Sequence, residues 1–171
     1  PEGAILDWAA IYLNNELGAD LFRSGLAFAG FAGTMAVMRF AGDSIRNRFG
    51  AVKTLRVSGL ISAVAMLAAA LAPNDVIAIV SFAACGIGVA NMIPILFSAA
   101  GNYPGLASGT AMSTVTMVGY AGILVAPSTI GFVADHVGFR ATYAALAVLL
   151  LVVAAMAGRA ATADGVAKPP T

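Results

Sequence analysis

The segment GDSIRNRFG, residues 42–50, lies between two apolar runs that are each long enough to cross a membrane. Lys and Arg collect in the cytoplasmic loops of membrane proteins. We therefore predict a loop here that lies inside the cell and sets the orientation of every other segment. Five basic residues crowd this loop and its flanks: Arg39, Arg46, Arg48, Lys53 and Arg56.

The composition predicts that the chain is embedded in a lipid bilayer. Hydrophobic residues make up 60% of the chain and charged residues 10%, and the mean hydropathy is +0.92, far from the balance of a soluble domain. The net charge of +1 gives no reason to expect nucleic acid as a partner. The single cysteine, Cys85, lies within an apolar run, so we expect neither a disulfide nor a metal site, and no cofactor.

The longest uncharged run must fold back on itself. The 59 residues between Asp75 and Asp135 contain no Asp, Glu, Lys, Arg or His, whereas one crossing needs about 20 to 25 residues. The turn-rich cluster Asn102-Tyr103-Pro104-Gly105 stands near the middle of the run. We predict two helices in this run, 76–100 and 107–134.

Charged residues bracket the shorter apolar runs, each of which predicts one more crossing. The result is an all-α membrane protein whose transmembrane part covers residues 1–160, followed by a disordered cytoplasmic tail, 161–171. The first helix gives only about 20 Å of length and Pro1 is not an initiator Met, so we expect a fragment that begins inside a membrane helix. The six predicted helices are 1–14, 22–42, 54–73, 76–100, 107–134 and 140–159.

The positive charges are consistent with this topology. If the connections alternate between the two sides, Arg23 and Arg140 lie outside, and the other basic residues lie inside with the C-terminus. Seven of the nine basic residues then obey the positive-inside rule: Arg39, Arg46, Arg48, Lys53, Arg56, Arg159 and Lys168.

The six segments differ in polarity, and the difference predicts an internal repeat. Residues 57–72 and 141–158 carry little beyond apolar side chains, which is typical of helices that face lipid. The other four segments carry most of the polar residues and are predicted to line a pathway. In each half of the chain, two polar helices are followed by a third, lipid-facing helix. This repeated order indicates two inverted three-helix repeats, a signature of secondary transporters.

A recurring motif points to a known family. The segment GFVADHVGFR, residues 131–140, resembles the G-x-x-x-D-x-x-G-x-R loop signature of the major facilitator superfamily, through Gly131, Asp135, Gly138 and Arg140. Residues 42–50 depart from that signature by a longer spacing between Asp43 and the following glycine. Residues 2–13, EGAILDWAAIYL, are similar to the seventh helix of a bacterial branch of the family.

The resemblance covers nearly the whole chain and identifies it as the C-terminal six-helix half of such a transporter. It implies a twelve-helix permease of the bacterial inner membrane, whose two halves rock about a central cavity. Helices seven, eight, ten and eleven partly line that cavity. The implied partners are the missing N-terminal six-helix half, a small-molecule substrate and the lipid bilayer.

Two carboxylates in the first helix are candidates for the substrate or proton pathway. Glu2 lies about 18 Å below the outer boundary and Asp7 about 10 Å, in a hydrocarbon core about 30 Å thick. An ionisable group near the midplane is costly unless it faces water, a partner or a proton. The alternatives are that Glu2 bonds a neighbouring helix and that Asp7 sits in a wet outer vestibule. Trp8 and Tyr12 lie four residues apart on one face and are interpreted as membrane-interface anchors, with stacking against the substrate as the alternative.

Polar residues of two later helices complete the predicted pathway. Ser113, Thr116 and Tyr120 share one stripe of the fifth helix with Gly109, and they either line the cavity or pack against a neighbour. Asn91 with Pro94 three residues later indicates either a polar space or a structural kink.

The basic loop is a candidate gate. Asp43 is predicted to pair with Arg46 and Arg48 in a network that holds the inner gate, with orientation by charge alone as the alternative. Close helix contacts or bends are predicted at Gly25, Gly30, Gly33, Gly119 and Gly122, whereas Gly86-Ile87-Gly88 is not a dinucleotide loop. The predicted gating residues are Arg39, Gly42, Asp43, Arg46, Arg48 and Gly50.

We expect a non-enzyme that moves a small solute by alternating access, coupled to protons through Glu2. An intramembrane enzyme is one alternative, but Phe40 stands where the G-x-G-D motif of membrane aspartyl proteases needs glycine. G-x-S-x-G and H-E-x-x-H are absent from the sequence. A membrane sensor that uses the same fold without transport is the other alternative.

Overall fold

The computed structural model describes residues 2–164 and contains only helices in that range. This confirms the predicted all-α class. A two-residue break, Ala90 and Asn91, separates α4 from α5, which together form one bent helix. The elements are α1 (Glu2–Leu17), α2 (Leu21–Phe49), α3 (Ala51–Ala70), α4 (Asp75–Val89), α5 (Met92–Gly101), α6 (Ser108–Met156) and a C-terminal 3-10 helix (Ala157–Asp164).

Within residues 2–164, four helical runs are long and apolar enough to cross a membrane, as expected of a multi-pass membrane protein. They are Leu21–Phe49, Ala51–Ala70, Asp75–Gly101 and Ser108–Asp164. Gly138 interrupts the last run with a non-helical backbone, φ 83° and ψ 158°. This break divides α6 into two pieces, 108–137 and 139–156.

Residues 42–49 of the basic segment are helical, not the loop that their charge predicted. Helix α2 continues through Phe49, because residues 43–49 contain neither proline nor glycine to end it. Gly50 is the single residue between α2 and α3. Its φ of 81° suits a residue without a side chain, and its N–H donates to the Arg46 carbonyl at 2.8 Å.

The predicted outer loop is likewise mostly helical. Residues 131–137 belong to α6, and the chain departs from helix geometry at Gly138. The family-like motif therefore spans the end of one helical piece, a glycine joint, and the start of the next. Gly138 and Gly50 lie at opposite ends of the bundle, which we call the Gly138 end and the Gly50 end.

The segment after α6 folds back onto the Gly50 end. The Asp164 carboxylate accepts hydrogen bonds from the first two N–H groups of α3, those of Ala51 at 2.5 Å and Val52 at 3.4 Å. Thr162 donates to the Ala99 carbonyl of α5 at 2.9 Å. The first four residues of the predicted disordered tail are thus part of a packed 3-10 helix, and residues 165–171 lie outside the described residues.

Helix α4 packs between α2 and α3 through two glycines. A methyl group at Gly86 would overlap the backbone of α2 at Phe31. A methyl group at Gly88 would lie 2.7 Å from the Ser58 carbonyl oxygen and 2.8 Å from the Ser62 nitrogen, both in α3. The three helices can approach this closely only because both positions lack a side chain.

An aromatic cluster joins α1, α4 and α6. Tyr12 lies with its ring centroid 5.3 Å from that of Tyr143 and 6.2 Å from that of Phe82. The Tyr12 hydroxyl donates to the Ala69 carbonyl at 2.8 Å, and the Tyr143 hydroxyl donates to the Ala4 carbonyl at 3.1 Å. Tyr12 is fully buried, so its interpretation as an interface anchor was wrong.

Helix α3 and the second piece of α6 each bury one face and expose the other. The buried face of α3 carries small residues such as Ser58 and Ser62, and its exposed face carries apolar ones such as Val64. In 139–156, Tyr143 and Leu150 are buried and neighbouring aliphatic residues are exposed. An exposed apolar face is what a helix presents to lipid.

Candidate functional site

A polar pocket of about 250 Å³ lies toward the Gly50 end, between α2 and the break that separates α4 from α5. We call it the arginine pocket. Three of its residues are charged, and Asn91, at the break, contributes a carboxamide. The lining residues are Arg39, Gly42, Asp43, Arg46, Asn91, Pro94 and Ile95.

The break in the bent helix creates this pocket. Pro94 has no N–H, so the Ala90 carbonyl cannot receive its usual helical hydrogen bond. Helix α4 ends at Val89 and α5 begins at Met92, with Asn91 between them. Asn91 is buried, and a methyl group at Gly42 would overlap its carboxamide. The structure therefore has a helix break at the Asn91–Pro94 pair, and the pocket lies beside this break.

An ion pair between α1 and α2 borders the pocket. Arg39 Nη2 lies 3.5 Å from Glu2 Oε1, and the two side chains are 48% and 28% exposed. That distance is an ion-pair contact rather than a short hydrogen bond. The guanidinium has five N–H donors in a planar fork, so this single contact leaves donors for a second acceptor. Sequence reasoning had placed these two residues in different groups, pathway and gate.

Arg46 ties three elements together beside the pocket. Its Nη2 donates to the Ser98 hydroxyl of α5 at 2.8 Å and to the Ala163 carbonyl of the 3-10 helix at 2.8 Å. Within residues 2–164, no ion pair joins Asp43 to Arg46 or Arg48. Arg48 instead lies over the Phe49 ring, 5.5 Å from its centroid. The contacts at this end therefore differ from the predicted Asp43 network.

Two carboxylates that sequence reasoning missed each cap a helix. These helices follow Gly138 and Gly50, which we call the glycine joints. At the Gly138 end, Glu16 accepts from the Phe139 N–H at 2.5 Å and lies 3.7 Å from Arg140. At the Gly50 end, Asp164 plays the same part for Ala51. Each acid lies more than a hundred residues from the helix that it caps, so no local spacing in the sequence could have revealed the pairing.

The remaining motif residues at the Gly138 end have separate contacts. Arg140 donates to the Ala72 carbonyl at 2.8 Å, just beyond the end of α3. Gly131 is buried beneath the Trp8 ring, and Asp135 is exposed. Nearby, Arg23 and Asp75 form an exposed ion pair at 2.9 Å. These contacts hold helix ends in place and leave the arginine pocket as the main candidate site.

The polar stripe of α6 does not join that pocket. Ser113 lines a wide, open groove of about 550 Å³ together with neighbouring residues of α6. Thr116 is half-buried and Tyr120 is exposed, and neither lines the groove. Asp7 is exposed on α1, away from the pocket lining. Within residues 2–164, no three His, Cys, Asp or Glu residues cluster in a way that could hold a metal ion.

Comparison with known proteins gives a consistent family match. The family model of the Major Facilitator Superfamily matches residues 4–170. The chain is 39% identical over 156 residues to an uncharacterized MFS-type transporter of Yersinia pestis. It is 28% identical to an uncharacterized transporter of Sinorhizobium fredii and 30% identical to the membrane protein MosC of Rhizobium meliloti.

These alignments cover most of this chain but less than half of each relative. They include 91%, 91% and 90% of the chain, and 41%, 41% and 38% of the respective relatives. The chain therefore spans about two fifths of the length of the curated relatives that it matches. No solved structure matches the chain significantly.

Proposed function

Because the chain belongs to the Major Facilitator Superfamily, we propose that the protein containing it moves a small solute across a membrane by alternating access, coupled to proton movement. The family match carries the transport part of this proposal. The coupling part rests on Glu2, a half-buried carboxylate paired with Arg39 at the edge of a polar pocket. Family membership also favours a transporter over an intramembrane enzyme.

The proposed architecture is a six-helix half made of two inverted three-helix repeats, with a second six-helix half as its partner. The two glycine joints support the repeat. Gly50 and Gly138 have nearly the same backbone, with φ 81° and ψ 157° at one and φ 83° and ψ 158° at the other. Each precedes a helix whose first N–H binds a distant carboxylate, and the joints lie at opposite ends of the bundle.

The proposed orientation places the Gly50 end and the C-terminus in the cytoplasm of a bacterium, with the protein in its inner membrane. Basic residues concentrate around Gly50, where the positive-inside rule expects them. Asp164 binds the first N–H of α3, so the end of the described chain lies on the same side as the basic segment. The named relatives are bacterial proteins.

A cysteine pair tests this orientation. Asn15 and Ser44 are both exposed helical residues near opposite ends of the bundle. In intact cells, an impermeant maleimide should label the Asn15→Cys variant and leave Ser44→Cys unlabelled until the membrane is permeabilised. The native Cys85 is buried and provides the background reading. Labelling of Ser44→Cys in intact cells would show that the Gly50 end faces outward and would contradict the proposed orientation.

Transport is tested with the full-length protein in sealed vesicles that contain a pH-sensitive dye. Small carboxylates, sugars and amines are added in turn under an imposed pH gradient. We expect at least one solute class to trigger proton flux and to accumulate, and a protonophore to stop the accumulation. Accumulation that survives collapse of the gradient would contradict proton coupling, and failure of every class to cross would contradict the transport proposal.

A further inference from the structure

We propose that the arginine pocket binds the carboxylate group of a small organic anion, with Arg39 as the binding cation and Glu2 as its built-in competitor. This inference rests on the proposed transport function and names the chemical class of the solute. Glu2 of α1 and Arg39 of α2, which form an ion pair, then act together at one anion-binding site.

The arrangement around Arg39 favours a carboxylate ligand. A guanidinium presents paired N–H groups whose geometry matches the two oxygens of a carboxylate. Arg39 is half exposed and lines the pocket, while its contact with Glu2 is long at 3.5 Å. The Asn91 carboxamide, held in place against Gly42, offers a further hydrogen-bonding group on the opposite wall. An incoming carboxylate can therefore replace Glu2 with better geometry than Glu2 itself has.

The neighbouring charges favour a single negative charge on the ligand. Arg46 lines the pocket but is held by Ser98 and Ala163, so it contributes positive charge without leaving its place. Asp43 lines the same pocket and opposes a second negative group. With Glu2 ionised, the two arginines and two carboxylates balance. Removing the charge of Glu2 leaves one net positive charge, which suits a monocarboxylate.

The pocket volume limits the ligand to a small molecule. About 250 Å³ is slightly below the roughly 300 to 1,000 Å³ of ordinary ligand pockets. This pocket volume equals that of about eight water molecules in the liquid, at roughly 30 Å³ each. A carboxylate with a short carbon chain fits this space.

The test compares propionate with propanamide, which has the same shape and no charge, by saturation-transfer NMR titration of the full-length protein in lipid nanodiscs. Propionate should bind at least about tenfold more tightly, because charged hydrogen bonds are stronger than neutral ones. Arg39→Gln should weaken propionate binding at least about tenfold. Glu2→Gln should strengthen it several-fold, since the competitor loses its charge.

Arg56→Gln is the matched control, because Arg56 is an exposed arginine of α3 outside the pocket lining. Its affinity for propionate should equal that of the native protein. If Arg39→Gln does not fold, Arg39→Lys keeps the charge without the fork and should bind with intermediate affinity. Equal binding of propionate and propanamide, absence of propionate binding, or unchanged affinity in the folded Arg39 variants would overturn the inference.

This binding test needs no pH gradient, so its outcome separates the two proposals. Binding that depends on Arg39, without proton flux in sealed vesicles, would refute the coupling and leave the anion site standing. Proton-coupled transport of a sugar or an amine, without propionate binding, would refute the anion site alone.

Discussion

Replacing Glu2 with Gln should abolish solute accumulation driven by a pH gradient while leaving solute exchange across the membrane intact. Gln keeps the shape and the hydrogen-bonding capacity of the side chain but cannot carry a proton. Glu2 is 28% exposed and lies beside Arg39. Under the proposed alternating access, Glu2 would meet water in one state and lose it in another. An ionised carboxylate that loses its water is disfavoured relative to the protonated form, which links proton uptake to closure.

The measurement compares uptake and exchange in sealed vesicles that hold the native or variant full-length protein. Normal exchange in Glu2→Gln shows that the variant folds and binds substrate, and the lost accumulation then isolates the coupling step. Asp7→Asn on the same helix discriminates between the two candidates, because Asp7 is exposed and lies away from the arginine pocket. If Glu2→Gln accumulates solute as well as the native protein, Glu2 is structural and the coupling lies in Asp7 or in another part of the transporter.

The basic segment was predicted to be a loop, and its conformation is helical. Arg46 and Arg48 predict only that the chain meets an aqueous surface there, because that prediction depends on composition alone. Whether the backbone there is a loop depends on what ends a helix, and residues 43–49 have nothing that does so. One glycine with positive φ is enough to turn the chain, so the predicted loop is reduced to Gly50.

The candidate site was predicted as separate residues and not as a pocket. Glu2 and Asn91 were singled out because polar groups within apolar runs are costly, and both lie at or beside the arginine pocket. The pairing of Glu2 with Arg39 depends on how α1 packs against α2, which residue spacing cannot show. The α6 stripe lies outside this pocket, and the prediction that it lines a cavity or packs against a neighbour stays a prediction, since a shared helical face does not tell what that face meets.

The glycines likewise show that the sequence alone does not reveal which residues contact a neighbouring helix. At four of the positions predicted as close contacts or bends, Gly25, Gly33, Gly119 and Gly122, an added methyl group would meet no atom of a neighbouring helix within 4 Å. The tight contacts lie instead at Gly86 and Gly88, in a segment that sequence reasoning had considered only as a rejected nucleotide-binding loop. Small residues predict that helices can approach closely, but the neighbouring helices decide which of them do.

Gly88→Ala should therefore lower the thermal unfolding temperature of the full-length protein in detergent micelles by several degrees, whereas Gly33→Ala should leave it nearly unchanged. The added methyl at Gly88 would lie 2.7 Å and 2.8 Å from backbone atoms of α3, which cannot rotate away as a side chain can. Overpacking of this kind costs about 1 to 3 kcal/mol. At Gly33 the same methyl has open space and the better helix propensity of alanine. Equal unfolding temperatures for the two variants would mean that α3 and α4 are not packed as closely as the structure shows.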